Sequence, residues 1–394
     1  MLCFQSLLGQ NLRTLNEKTR LMNLEDVLNV KNKNAFYREF TYSRSKFKTD
    51  ECSERELADA LISISDTVIG FQIKERNVNE AQASDKKWFS KKVLGKAVGQ
   101  LADTQRFLAD KAPIHITNNT GIKLTLPEGA DFRFFGIVCY EGIKYDPLLK
   151  LYLSRRAGPV HIFKYNDYTL ASELLFTFWE ITEYLLFRES ILKNYRAANG
   201  NSEKSLIGQY ISGHLSAPPS EEFGEYAERL IVTNHERKFR HVLWLIRDRL
   251  DNADFSIEYY NCLREFALLT RNELREIGQR FDLMCKRALE NEVGLASRMA
   301  TVRRDCCFML TSFDRERADK RKILLESLTE LAKYSLKTSK GIGVSVVWDG
   351  DSFLIDWAFA ESPYSHNRDY EHLLEKHNLF APIRKQAMPR YEFE

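Results

Sequence analysis

Two short runs near residue 60 alternate apolar and polar positions in the manner of neighbouring β-strands. In TVIGFQIK, the alternation places Gln72 and Lys74 on one face of the strand. The preceding run, ALISI, is separated from it by Ser65 and Asp66, which are typical turn residues. The pattern therefore predicts a β-hairpin that brings Asp59, at the start of the first strand, beside Gln72 and Lys74 at the end of the second.

The same patterning predicts the organisation of the whole chain. Strand-like runs (PIHITN, GIKLTLP, FRFFGIVCY, VHIFKY) and helix-like runs such as KKVLGKAVGQLADTQRFL alternate over residues 1–196, which predicts an α/β (α+β) domain. Residues 197–222 are rich in Asn, Gly, Ser and Pro and are predicted to be a linker. Apolar spacings of three and four then predict a mainly helical region over 223–394. It ends in a small C-terminal α/β element, a β-hairpin around Asp349-Gly350-Asp351.

Composition limits the classes of protein to consider. A length of 394 residues suggests two or three domains, and the net charge of +3 excludes a polycation that coats nucleic acid by bulk charge. The seven cysteines are scattered without a C-x-x-C pair, which indicates a reducing compartment and no structural zinc site. The first residues do not resemble a secretory leader, and no run of apolar residues is long enough to predict a membrane-spanning helix. We therefore expect a cytoplasmic protein without a membrane partner.

Several catalytic motifs are missing from the sequence. There is no G-x-x-x-x-G-K-[ST] segment, so the chain carries no recognisable ATP-driven motor. Neither G-x-G-x-x-G nor G-x-S-x-G occurs, which leaves nicotinamide and α/β-hydrolase chemistry without support.

The hairpin, by contrast, collects side chains suited to phosphodiester hydrolysis. Carboxylate and amide oxygens hold Mg²⁺, which activates water and neutralises charge on the scissile phosphate. A nearby ammonium group, here that of Lys74, adds further electrostatic stabilisation. Glu56 lies three positions before Asp59, one helical turn away if SERELA ends a helix. The alternative interpretation assigns no function to Asp59, Gln72 and Lys74: they would form the solvent-facing edge of a half-buried hairpin.

These residues resemble the PD-(D/E)xK nuclease superfamily, whose restriction-endonuclease-like core carries an acidic helix, a hairpin and a following helix around a mixed sheet. By this resemblance Asp59 matches the metal-binding Asp, Gln72-Ile73-Lys74 matches the (Asp/Glu)-x-Lys tripeptide, and Glu56 matches the helical Glu. The Ile73 carbonyl would be the backbone metal ligand. Gln72 in place of the acid resembles the Q-x-K variant of the Mrr-type branch. Gln100, on the following helix, matches a position that often offers Gln or Lys to the site.

The resemblance implies a Mg²⁺-dependent endonuclease, with Mn²⁺ as an alternative metal, and favours DNA over RNA as its substrate. No feature of the sequence itself separates the two, so a ribonuclease effector stays open as a third hypothesis. Restriction and antiphage defence in bacteria are the roles it suggests. It also implies a protein partner for the C-terminal region, a separate ATP-driven motor if translocation is needed, and leaves homo-oligomers open. The alternative is a nuclease-fold protein without catalysis that serves as a binding or scaffolding subunit, because Gln72 removes one anionic ligand.

Basic residues cluster at the start of the helix that follows the hairpin. As nucleic-acid contacts we name Lys87, Lys91, Lys92 and Lys96. A run of charges is more often only a solvated helix face. Its position beside the proposed phosphate site is what favours a role in substrate binding.

Overall fold

The chain divides into two units, Met1–Arg229 and Leu230–Glu394. The computed structural model describes residues 23–36, 38–43, 46–48, 54–76, 85–111, 114–118, 123–126, 131–175, 177–231, 243, 257–292, 294–301, 303–382 and 389–394. The division falls later than the predicted linker at 197–222. Part of that segment, Glu203–Ile211, is a buried helix of the first unit.

The first unit is mixed α/β, as the sequence predicts, and is built around a six-stranded mixed sheet. Its strands are β1 (Thr41–Ser43), β4 (Ala60–Ile64), β5 (Thr67–Glu75), β8 (Arg133–Glu141), β9 (Leu151–Ser154) and β10 (Gly158–Lys164). Their order is β1-β4-β5-β8-β10-β9. The central strands β5, β8 and β10 run parallel, and the other neighbours are antiparallel. Two small pairs flank the sheet, β2 (Lys46–Lys48) with β3 (Glu54–Glu56), and β6 (Ile114–Thr117) with β7 (Lys123–Leu126).

The predicted hairpin is confirmed. Strand β4 pairs antiparallel with β5, and the register joins Ala60 to Phe71 and Ile64 to Thr67. Ser65, in the turn between them, has φ 55°, the left-handed conformation that tight hairpin turns require.

Helices cover both faces of this sheet. The helices of the first unit are α1 (Leu24–Phe36), α2 (Asp85–Trp88), a wide π-helical segment (Phe89–Ala97), α3 (Val98–Lys111), α4 (Tyr165–Leu174), α5 (Phe178–Asn194), α6 (Glu203–Ile211) and α7 (Gly224–Arg229). A Cβ on Gly70 would lie 3.4 Å from Leu101, so the even-numbered positions of β5 face α3. On the other face, Phe71 packs edge-to-face on Tyr168 of α4, with ring centroids 5.3 Å apart. Gln72 and Lys74 therefore point toward the α3 side.

A buried ion pair joins α5 to α6. Arg188 and Glu203 are both fully buried, and the Arg188 Nε donates to Glu203 Oε1 at 2.7 Å. The hydroxyl of Tyr184 and the ammonium of Lys150 also donate to the Glu203 carboxylate. Every oxygen of this buried carboxylate thus has a hydrogen-bond donor, which is the condition for keeping a charge in the protein interior.

The Glu203 carboxylate makes the stability of the first unit depend on acid pH. Burial opposes its ionisation, but the charges of Arg188 and Lys150 outweigh burial and lower the pKa of Glu203 from 4.5 to about 2. Because the folded-state pKa is the lower one, its contribution is complete above pH 4.5 and is lost as the pH falls toward 2. We expect the wild type to lose about 3 kcal/mol more than Glu203→Gln across this window. Urea unfolding followed by circular dichroism measures this, and parallel pH curves for the two proteins would contradict it.

The second unit contains a four-stranded sheet and is less helical than the sequence patterning predicts. Strands β11 (Ser297–Ala300), β12 (Cys306–Ser312), β13 (Lys340–Trp348) and β14 (Phe353–Glu361) lie in that order. The C-terminal hairpin prediction is confirmed, since β13 and β14 pair antiparallel. The missed strand β12 is buried throughout, and such a strand carries no alternation for pattern reading to detect.

Helices pack on this second sheet. They are α8 (Ile257–Ala267), α9 (Arg271–Leu289), α10 (Arg321–Leu336) and α11 (Arg368–Lys376). Residues 232–242 and 244–256, which were predicted to be largely helical, lie outside the described residues. Within the described part of the chain, no helix has the length and apolar character needed to cross a membrane.

Two helix glycines make a matched test of the packing. A Cβ on Gly208 in α6 would collide with the backbone carbonyl of Phe223, whereas a Cβ on Gly99 in α3 meets nothing within 4 Å. We expect Gly208→Ala to lower the free energy of unfolding by about 1–3 kcal/mol, and Gly99→Ala to raise it by roughly 0.5–1 kcal/mol. Urea unfolding of both variants checks this. Equal effects at the two positions would contradict the close approach of α6 to Phe223.

Candidate functional site

Asp59 lies at the point where the two hairpin strands separate. Strand β4 begins at Ala60, opposite Phe71, so the residues of β5 after Phe71 extend beyond β4. The backbone N–H of Ile73 donates to Asp59 Oδ2 at 2.6 Å. Strand β4 has no residue opposite Ile73, and the Asp59 carboxylate accepts the Ile73 N–H in place of a β4 carbonyl. The backbone of β5 thus holds this carboxylate.

The Lys74 ammonium group joins the three predicted side chains. It donates to Asp59 Oδ2 at 3.3 Å and to Gln72 Oε1 at 2.9 Å. Gln72 is 2% exposed, while the side chains of Lys74 and Asp59 retain 15% and 16% exposure. The structure therefore brings Asp59, Gln72 and Lys74 into one half-buried cluster that solvent can still reach.

The oxygen atoms of this cluster fit a hard divalent cation. In a β-strand the N–H and C=O of one residue point to the same side, so the Ile73 carbonyl faces the side on which its N–H meets Asp59. Carboxylate, amide and carbonyl oxygens are the ligands that Mg²⁺ accepts. The Lys74 ammonium already lies between two of these oxygens, which shows that they converge on a positive charge. Among the described residues, no group of three or more His, Cys, Asp or Glu could hold a metal ion, so Asp59 would act with neutral oxygens.

Gln100 lies on α3 close to the chain segment that leads into Asp59. The hydroxyl of Thr104 donates to the carbonyl of Leu57, two positions before Asp59, and Gln100 is one helical turn earlier on the same face. The Oε1 atom of Gln100 is buried and accepts no hydrogen bond from the described residues. A buried acceptor without a donor is costly, so this oxygen is available to a ligand.

The predicted helix before Asp59 is wrong. Glu54–Glu56 forms β3, which pairs antiparallel with β2 and joins Glu56 to Lys46. The side chain of Glu56 lies outside the described residues, so its proposed metal contact stays a prediction. The helical spacing that placed it one turn from Asp59 does not apply.

The basic residues named from the sequence occupy the helical segment that follows the hairpin. Lys87, Lys91, Lys92 and Lys96 are all exposed. This segment is fixed to the end of β5, because buried Arg76 pairs with buried Asp85. Their ammonium groups are thus accessible to solvent on a helical segment whose first residue is anchored at the carboxyl end of β5.

The carboxyl edge of the parallel strands contains polar residues that sequence reasoning missed. Register joins Lys74 to Tyr140 and Tyr140 to Lys164. Parallel neighbours in register share a face of the sheet, so these side chains form a row across β5, β8 and β10. The order of the strands, which decides this row, leaves no signal in the local sequence.

Comparisons with models of known protein families, with curated proteins and with solved structures find no match to this chain.

Proposed function

We propose that this protein is a Mg²⁺-dependent endonuclease acting on DNA, and that its first unit has a restriction-endonuclease-like core. The observation that carries the proposal is the convergence of Asp59, Gln72 and Lys74 at the point where β4 and β5 separate. A carboxylate, an amide and an ammonium group, which together suit phosphodiester hydrolysis, are grouped there in a cluster that remains accessible to solvent.

Each residue has a chemical role in this proposal. Asp59, Gln72 and the Ile73 carbonyl would hold Mg²⁺, which when bound supplies an activated water and neutralises phosphoryl charge. The Ile73 N–H fixes the orientation of the Asp59 carboxylate. Lys74 places a positive charge next to the scissile phosphate, where negative charge develops in the transition state. The exposed lysines of the following helical segment neutralise neighbouring phosphates.

A cleavage assay tests the proposal. Purified full-length protein is incubated with plasmid, linear DNA and RNA, in Mg²⁺, Mn²⁺ or chelator. We expect cleavage of DNA only with metal, and a loss of about 10³-fold in Asp59→Ala. Asp66→Ala, at the exposed turn of the same hairpin, is the matched control and should cleave normally. Activity that persists in Asp59→Ala would rule out this site, and cleavage of RNA alone would replace DNA as the substrate.

Gln72→Glu should tighten metal binding. The substitution adds a second anionic oxygen ligand beside Asp59, and the charge of the ligand set controls affinity for hard cations. We expect the Mg²⁺ concentration for half-maximal cleavage to fall about tenfold. Gln279→Glu, an exposed residue of α9, makes the same charge change in the second unit. A fall of similar size in Gln279→Glu would point to a general charge effect.

The second candidate function is a binding or scaffolding subunit that has lost catalysis. Gln72 stands where an acid would be expected, so Asp59 is the carboxylate of the described cluster. This weaker set of metal ligands favours the second candidate. The same assay separates the two candidates. Binding of nucleic acid without cleavage in Mg²⁺ or Mn²⁺, together with cleavage by Gln72→Glu, would identify the subunit.

A further inference from the structure

A cavity of about 370 Å³ opens at the carboxyl edge of the parallel strands in the first unit. The residues that matter in its wall are Tyr140, Leu148, Lys150, Lys164 and Asp167. Tyr140 is the register partner of Lys74, so the wall begins one strand away from the candidate site. With neighbouring strands about 4.8 Å apart, the Lys164 backbone lies about 10 Å from that of Lys74. The cavity therefore lies at the same edge of the sheet as the candidate site.

Acidic groups dominate the cavity, but only one of them is available to a ligand. The carboxyl groups are those of Asp146, Asp167, Glu203 and Glu221. Three of these accept hydrogen bonds on both oxygens from neighbouring protein groups. Asp167 accepts none from the described residues, and the Lys150 ammonium lies 4.0 Å from it. Burial and the charge of Glu203 raise the pKa of Asp167. The carboxylate oxygens of Asp167 thus have no hydrogen-bond donor among the described residues.

The charge of the cavity indicates the kind of ligand. Lys150 pairs with Glu203 and, at 4.0 Å, with Asp167, and Lys164 pairs with Asp146, so neither lysine is free to neutralise a phosphate. Because its wall contains four carboxyl groups and two lysines, the cavity repels phosphate and attracts a hydrogen-bond donor. A neutral ligand that carries an N–H group satisfies this electrostatic requirement.

The mouth of the cavity is apolar on one side. Leu148 is 58% exposed and has φ 46°, a left-handed conformation that is rare for a branched side chain. An exposed leucine beside a polar cavity offers a surface for the face of a planar ring.

We propose that the cavity binds an unpaired nucleobase of the substrate, whose exocyclic amino group donates to Asp167 while its ring lies against Leu148. The inference rests on the proposed nuclease function and specifies its substrate: single-stranded nucleic acid, or a duplex from which a base is extruded. In a duplex the Watson–Crick edge is already paired and cannot reach Asp167. Carboxylates accept from the N4 amino group of cytosine, whereas uracil presents an oxygen at that position.

Binding of two matched oligonucleotides tests the inference. Fluorescence anisotropy is measured with the full chain in chelator, using labelled oligo(dC) and oligo(dU) of equal length. The two bases differ at one ring position, amino in cytosine and oxygen in uracil. We expect oligo(dC) to bind about tenfold more tightly. In Asp167→Asn the preference should disappear or reverse, because the new amide donates to the uracil oxygen. Asp110→Asn, an exposed position on α3, should keep the wild-type preference.

Each outcome decides the inference. Equal affinities in the wild type, or an unchanged preference in Asp167→Asn, would overturn it. The ratio of the two wild-type affinities decides the first of these outcomes without any variant. For the second outcome, retained oligo(dU) binding by Asp167→Asn shows that the variant is folded. Cleavage of DNA without a base preference would reject the cavity and leave the proposed nuclease intact. Absence of binding to either oligonucleotide would overturn the base-binding inference alone, because metal-dependent cleavage of plasmid and linear DNA decides the proposed nuclease separately.

Discussion

Replacing Arg188 with methionine should lower the free energy of unfolding by about 3–5 kcal/mol. The guanidinium is fully buried, and it donates to Glu203 and to the backbone carbonyls of Lys150 and Ile162. Its loss would leave a buried carboxylate without its main counter-charge and would remove one donor from each of the two carbonyls, of which that of Lys150 still accepts from the Ile162 N–H. Urea unfolding followed by circular dichroism measures the change.

A double variant separates the ion pair from the packing around it. In Arg188→Met with Glu203→Leu neither charge remains buried, and we expect much of the lost stability to return. The exposed pair of Lys193 and Glu189 on the same helix is the control, because replacing Lys193 with alanine should cost less than about 1 kcal/mol. If Arg188→Met were no more destabilising than that control, the network would not be a determinant of stability.

If the protein is the proposed nuclease, replacing Lys74 with methionine should lower the rate of DNA cleavage about 10²–10⁴-fold. The ammonium group is the cation of the candidate site, and methionine keeps much of the side-chain volume while removing the charge. The metal requirement should behave differently. Asp59 would still be held by the Ile73 N–H, and one repelling charge would be gone, so the Mg²⁺ concentration for half-maximal cleavage should not rise.

The split between rate and metal requirement makes this prediction specific. Measuring both quantities over a Mg²⁺ titration distinguishes a group that acts on the phosphate from one that only supports the metal. Lys193→Met, which removes an exposed lysine elsewhere in the first unit, should change neither. A Lys74→Met protein that cleaves normally would remove Lys74 from the catalytic role.

The candidate cluster was predictable because its determinants are local. Alternation along β5 placed Gln72 and Lys74 on one face, and the turn at Ser65 and Asp66 set the register that brings Asp59 to them. Each step uses residues that are neighbours in the chain or across one hairpin. Periodicity and turn chemistry carry that information directly.

Features that depend on distant contacts were not predictable in the same way. The helix Glu203–Ile211 follows a Gly- and Asn-rich stretch that looks like a linker, yet its buried Glu203 binds Arg188. Strand β12 has no polar alternation because both of its faces are covered. The cavity around Asp167 exists only once β8 and β10 are placed side by side. Sequence patterns describe a segment's own faces, and they contain little about which segment will cover them.

The hairpin that carries Asp59 and Lys74 also has a consequence for the order of folding. The two residues are 15 positions apart in the chain, and the pairing that joins them closes only a short loop. Hairpins form within microseconds, whereas the parallel pairing of β5 with β8 must close a loop of more than fifty residues. The cluster can therefore assemble ahead of the cavity one strand away. The two parts of this sheet edge would then form at different stages as the chain folds.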